Sequence, residues 1–168
     1  MIRPILQLKN EILREKSSPI KDFHSKDLET LIDDLSDTFH DAKRRFSYGR
    51  GIAAPQIGEL RRVVLIDMPS FKSPLINPRI LWTSDRKFEV WDSCFSFNVA
   101  FFVLVDRYYS IKIEYFDREG KRQVIEAQGK LSELLQHEID HLDGILAIDR
   151  MKDKKKIMMW SEWKETFQ

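Results

Sequence analysis

His137-Glu138-Ile139-Asp140-His141 places two imidazoles four residues apart with a carboxylate beside the first. On a helix, residues at that spacing stand one turn above each other, so both rings can reach a single cation while Glu138 faces the same point. A carboxylate beside such a cation can accept the proton of a water that the cation has acidified, which leaves a nucleophile near neutral pH. The blander alternative is two histidines on a helix face next to an unrelated glutamate. A catalytic centre of this kind wants three protein ligands and one open position, so the third ligand decides the class of enzyme. Cys94, the only cysteine in the chain, is the leading candidate. A thiolate with two imidazoles suits zinc or ferrous iron, whereas magnesium and calcium prefer oxygen donors. Taken alone, a single cysteine is more often a small buried hydrophobe. Glu162 or Glu165 as third ligand would instead describe a zinc endopeptidase, although little chain follows His141 for a second lobe.

Leu131, Leu134, Leu135 and Leu142 keep helical period around the motif, and Gly144 is placed to end that helix after about fifteen residues. A second amphipathic helix is predicted from Ser25 onward. There Leu28, Leu31, Ile32, Leu35, Phe39 and Ala42 recur at steps of three and four, acids crowd the start and Lys43-Arg44-Arg45 lies at the end. Between the helices the period shortens. Runs rich in branched residues at Val63 to Ile66, Pro74 to Trp82, Phe88 to Trp91, Val99 to Val105, Ser110 to Phe116 and Gln123 to Ala127 read as strands, the last two joined as a hairpin through Asp117 to Gly120. Ile157, Met158, Trp160, Trp163 and Phe167 suggest a C-terminal helix after a solvated basic start. The expected architecture is α+β, one domain over residues 1–168, with antiparallel or mixed sheets packed around the motif-bearing helix.

Charge and composition narrow the partners. The 168 residues carry 28 Lys+Arg against 27 Asp+Glu, a formal charge of +1, without the basic footprint that a generic nucleic-acid binder needs. A lone cysteine permits no internal disulfide. The longest unbroken apolar run is Val99 to Val105, and the amino terminus carries charges where a signal peptide needs apolar residues. No membrane partner and a cytoplasmic location are expected.

Three stretches in the same order resemble the peptide deformylase family: Gly49-Arg50-Gly51-Ile52-Ala53-Ala54-Pro55-Gln56, Cys94-Phe95-Ser96, and Gln136-His137-Glu138 through Gly144. Ile5-Leu6-Gln7-Leu8, Leu75-Ile76-Asn77-Pro78 and Asp149-Arg150-Met151 extend the resemblance over almost the whole chain. It implies a metal-dependent hydrolase that releases formate from N-formylmethionyl peptides of nascent proteins. One divalent ion per chain, Fe2+ or Zn2+ with Ni2+ or Co2+ able to substitute, would be held by Cys94, His137 and His141. Glu138 would accept and return the proton, with the Gln56 side-chain amide and the Phe95 backbone N–H serving as oxyanion donors. Arg50, Gly51 and Ser93 would lie along the extended substrate, where small residues permit close backbone approach. Transient association with the ribosome is a further implication.

The second stretch departs from the family pattern. Asp92-Ser93 stands where Glu-Gly is usual, and Phe95 where Leu is. An acid–base pair between Asp92 and Arg107 is expected to survive. Lys130 and Glu133 stand at the helix entry where many members are apolar, so a small formamide other than a formylmethionyl peptide is an alternative substrate. A non-catalytic metal-binding descendant is the third reading.

Overall fold

A computed structural model describes residues 1–167. The helix predicted from Ser25 forms as α1, Lys26–Phe46, with the Ser25 side chain accepting a hydrogen bond from the Leu28 N–H. Asp27 and Glu29 occupy its first turn and Lys43, Arg44 and Arg45 its last, as the helix dipole favours. Its apolar stripe is buried against a sheet.

That sheet contains β1 (Gly51–Ala53), β2 (Val63–Met68), β3 (Phe71–Thr83), β6 (Ser110–Phe116) and β7 (Arg122–Gln128), in the order β1-β2-β3-β6-β7. Every neighbouring pair is antiparallel, and β6 and β7 make the expected hairpin. The two-residue alternation of strands divides the core. Val63 and Leu65 of β2 pack with Leu35 and Phe39 of α1, whereas Val64 and Ile66 turn to the opposite face. There they meet Leu134, Leu135, Ile139 and Leu142 of α2, Gly129–Leu142, the helix that carries the paired histidines. Each fully buried large apolar side chain contributes about 1.5–3 kcal/mol, so α2 is fixed against the sheet by its leucines and not by its own helix propensity.

A smaller antiparallel sheet, β4 (Lys87–Asp92), β5 (Phe101–Tyr108) and β8 (Ile157–Met159), runs in the order β4-β5-β8, and α3 (Trp160–Phe167) closes the described chain. Three boundaries differ from expectation. Gly51–Ala53 is an edge strand too short to show a period. Val99 and Ala100 precede β5, because Asn98 and Val99 both have φ near +50°, a turn that breaks the strand. Ile157 and Met158 belong to β8, paired with Val103 and Phe102, so the last helix begins only at Trp160.

Candidate metal centre and active site

Helix α2 brings the Nε2 atoms of His137 and His141 to 3.1 Å from each other. Cys94 arrives from the other sheet, as the second residue beyond the β4 hairpin arm and just before the 3-10 turn Phe95–Phe97. One ligand atom from each of the three residues lies within 4.8 Å of the others, and all three residues are buried. Glu162 and Glu165 are exposed on α3 and take no part in this group; the Glu162 carboxylate caps its own helix by accepting from the Met159 N–H. Of the two ligand sets read from the sequence, the residues that come together are those of the leading one, Cys94, His137 and His141.

The donor set fits a divalent transition metal. Two imidazole nitrogens and a thiol converge in a buried site, and His137 turns its second nitrogen, Nδ1, onto Asp92 Oδ1 at 2.8 Å, the kind of contact that fixes the ring of a metal-binding histidine. Asp92 in turn accepts from Arg107 Nη2 at 2.7 Å, the pair expected from the sequence. Arg107 is itself buried and donates its Nη1 to Asp140 at 2.5 Å, while Asp140 also receives Arg150 at 2.6 Å. Burial works against ionisation of Asp92, but His137 and Arg107 outweigh it and hold the carboxyl below the usual carboxylate range. Burial likewise opposes a proton on His137, and Asp92 overcomes it, so that ring sits well above an ordinary histidine. His141 goes the other way, lowered first by burial and then by His137.

Glu138 is buried beside the rings, and burial pushes its carboxyl up to about 7 against the lowering pull of His137. Its Oε2 is buried without a hydrogen-bond partner, a carboxylate oxygen left free for something the protein does not itself supply. The space for Glu138 comes from Gly51, where a Cβ would lie 2.7 Å from Glu138 Oε1. The glycine expected to admit a substrate backbone thus also makes room for the Glu138 carboxyl. Gly49 combines a φ of +123° with the ring of Phe95 packed where its Cβ would be.

Gln56 is buried. Its Oε1 accepts from the Ala53 N–H at 2.9 Å, which fixes the amide, and its Nε2 donates to Ser96 Oγ at 3.1 Å. That bond ties the first motif to the cysteine turn, and the amide keeps a second N–H. Phe95 opens the 3-10 turn, where a backbone N–H has no intrahelical acceptor. Ser93 lines the cavity but donates its hydroxyl to the Phe101 carbonyl at 2.7 Å. Arg50 lines the same cavity and is ion-paired with Glu133 of α2, a residue expected only at the rim.

The sequence reading missed Asp140 as the second partner of Arg107, and it missed Tyr48, a cavity wall whose ring meets Phe102, Trp160 and Trp163 edge-on. Gln136 was visible in the motif without its purpose: it bonds both backbone groups of Tyr108, at 2.9 and 3.0 Å, and so pins α2 to the end of β5.

Comparison with known proteins agrees with this geometry. The family described as polypeptide deformylase matches residues 2–157. The chain is 38% identical over 178 aligned positions to a peptide deformylase of Brachyspira hyodysenteriae, covering 98% of this chain and 89% of the relative. It is 40% identical over 151 positions to that of Desulfitobacterium hafniense, covering 90% and 95%. Among solved structures, a peptide deformylase from Legionella pneumophila superposes with a TM-score of 0.82 at 34% identity, covering 99% of this chain and 97% of that one. The Synechococcus elongatus enzyme in complex with actinonin gives 0.83 at 26% identity, covering 98% and 87%. With the thiol, two imidazoles and buried glutamate brought together on that fold, the chain belongs to the polypeptide deformylase family, metal-dependent hydrolases that remove the N-formyl group from nascent peptides.

Proposed function

We propose that this chain removes the formyl group of N-formylmethionyl peptides with Cys94, His137 and His141 as metal ligands and Glu138 as the group that moves the proton. The convergence of the three ligand atoms beside a buried Glu138 carboxyl, whose Oε2 has no hydrogen-bond partner, is the observation that supports this assignment most directly. A divalent cation held there would acidify water and polarise the formyl carbonyl. Fe2+ and Zn2+ both suit the donor set, and Ni2+ or Co2+ would substitute.

Glu138 accepts the proton of the attacking water and returns it to the departing amine, work suited to a carboxyl held near 7. The second amide N–H of Gln56 and the N–H of Phe95 receive the negative charge that develops on the formyl oxygen. Each such donor is worth a factor of ~10²–10³ in rate. β1 is the edge of its sheet, and its free side, entered through Gly49, Arg50 and Gly51, offers main-chain groups to an extended peptide. Ser93 lies beside that path. Formylated amino termini arise during translation, so we place the reaction in the cytoplasm, in transient contact with the ribosome. No described helix is long and apolar enough to cross a membrane.

Two variants test the reading. Glu138→Gln should bind one metal per chain yet lose formate release from formyl-Met-Ala-Ser, and Cys94→Ala should lose the metal while Glu165→Ala keeps it. Retention of full activity by Glu138→Gln, or of full metal by Cys94→Ala, would overturn the residue roles.

A further inference from the structure

The cavity next to the metal ligands is walled on its solvent side by two opposite charges. Arg50 precedes β1 and is about one-third exposed (34%), Glu133 lies in the second turn of α2 at 15%, and the two meet as an ion pair. Glu138, which lines the same cavity, is buried, so a side chain entering from solvent passes the pair before it reaches the reacting centre. An unbranched thioether side chain that pushed past the pair would strip both charges of water and offer them no hydrogen bond in return, whereas a methyl or hydroxymethyl group would disturb them far less.

We propose that the Arg50–Glu133 pair determines specificity by the size of the first side chain. Compact first residues such as glycine, alanine and serine are accepted beneath the closed pair, whereas methionine enters only when the pair parts. This inference rests on the deformylase reading above and deepens it. The pair joins Arg50, the neighbour of Gly51, to Glu133, five residues before Glu138 on α2, so it stands beside the reacting centre and includes none of the proposed metal ligands. A substrate that requires the open arrangement binds in proportion to the fraction of molecules that are open, which puts the penalty on KM and not on kcat. Arg50 and Glu133 meet water at the cavity mouth, so added salt screens their attraction and raises the open fraction.

The test uses the metal-loaded enzyme and two peptides that differ only in the first residue, formyl-Met-Ala-Ser and formyl-Ala-Ala-Ser. The charge-neutral double variant Arg50→Leu/Glu133→Leu removes both partners together, leaving no orphaned charge. Its Met/Ala ratio of kcat/KM should rise by about tenfold, the low end of what a methylene-scale change in a pocket produces, and through KM. In the unmodified enzyme the same ratio should rise with potassium chloride, a measurement that needs no variant to fold. Calorimetric binding of both peptides to the metal-loaded Glu138→Gln protein should show the same preference without turnover, with methionine gaining from salt and alanine not. A ratio unchanged by both the double substitution and salt would overturn the gate while leaving the hydrolase assignment standing. Absence of formate from every formyl-peptide at full metal occupancy would remove both.

Discussion

Gly51 and Glu138 occupy one another's space: a Cβ on the glycine would sit 2.7 Å from Glu138 Oε1 and 3.1 Å from the backbone oxygen of Leu65. The Leu65 oxygen belongs to β2, paired with β1, and cannot yield, so the carboxylate must. Gly51→Ala should therefore retain its metal but lose about 10²-fold in kcat, the cost of misplacing a reacting group by roughly 1 Å. Metal content and turnover measured on the same sample check this. Equal losses of both would mean that the ligands had moved as well.

Asp92 holds His137 through Nδ1 at 2.8 Å and is held by Arg107 at 2.7 Å. Asp92→Asn keeps the shape and removes the charge. Loss of an outer-shell carboxylate of this kind weakens metal binding by about 10–100-fold. Competition with a chelator should show that loss, and Asp92→Glu, which keeps the charge on a longer stem, should lose less than Asp92→Asn. An affinity unchanged in Asp92→Asn would mean that Asp92 serves the fold alone.

What the sequence made legible and what it hid divide along the range of the interactions. The His137–His141 spacing is set within one helical turn, and the β2 run, buried on both faces, shows as four consecutive apolar residues from Val63 to Ile66, so both could be read locally. Cys94 could be named as a candidate ligand from its chemistry and strengthened by the family resemblance, but no local pattern placed it beside the rings, because its position depends on β4 pairing with β5 and on the packing of two sheets. Asp140 carried no role visible in the sequence, since its cations, Arg107 and Arg150, come from other segments. The β8 residues Ile157 and Met158 fit a helical stripe equally well until pairing with β5 chose the strand. Glu133 looked like rim polarity for a similar reason: its partner Arg50 lies far away in sequence, in a glycine-rich turn that carries no period.

Asp67 supplies a pH dependence remote from the metal ligands. Burial raises its carboxyl, but Lys72 at 3.2 Å and Lys43 at 3.3 Å outweigh that, so its folded pKa lies below the ordinary value. A depressed carboxyl stabilises the fold above its unfolded pKa, and that contribution disappears as pH falls through the folded one. Both lysines are substantially exposed, which limits the effect to on the order of 0.5 kcal/mol. Urea midpoints of the wild type and Asp67→Asn should differ at pH 7 and converge in acid. A gap that widened in acid would reverse the sign and refute the assignment.

Gln136 tests whether the helix is held in place by hydrogen bonds as well as by leucines. Its amide donates to the Tyr108 carbonyl at 2.9 Å and accepts from the Tyr108 N–H at 3.0 Å, and Ser132 Oγ donates to the same carbonyl at 2.8 Å. Gln136→Leu keeps the volume but leaves the Tyr108 N–H without its acceptor, while Ser132 still serves the carbonyl. An unsatisfied buried donor costs about 1–3 kcal/mol, and this one is part-buried, so the variant should lose stability at the low end of that scale. Ser132→Ala, which leaves both Gln136 bonds to Tyr108 intact, should cost less. Because Gln136 adjoins His137, the Gln136 variant should also bind metal more weakly, and the Ser132 variant should not. Denaturant midpoints with a matched chelator titration separate the two, and equal stability losses would show that the carbonyl, not the N–H, carries the attachment.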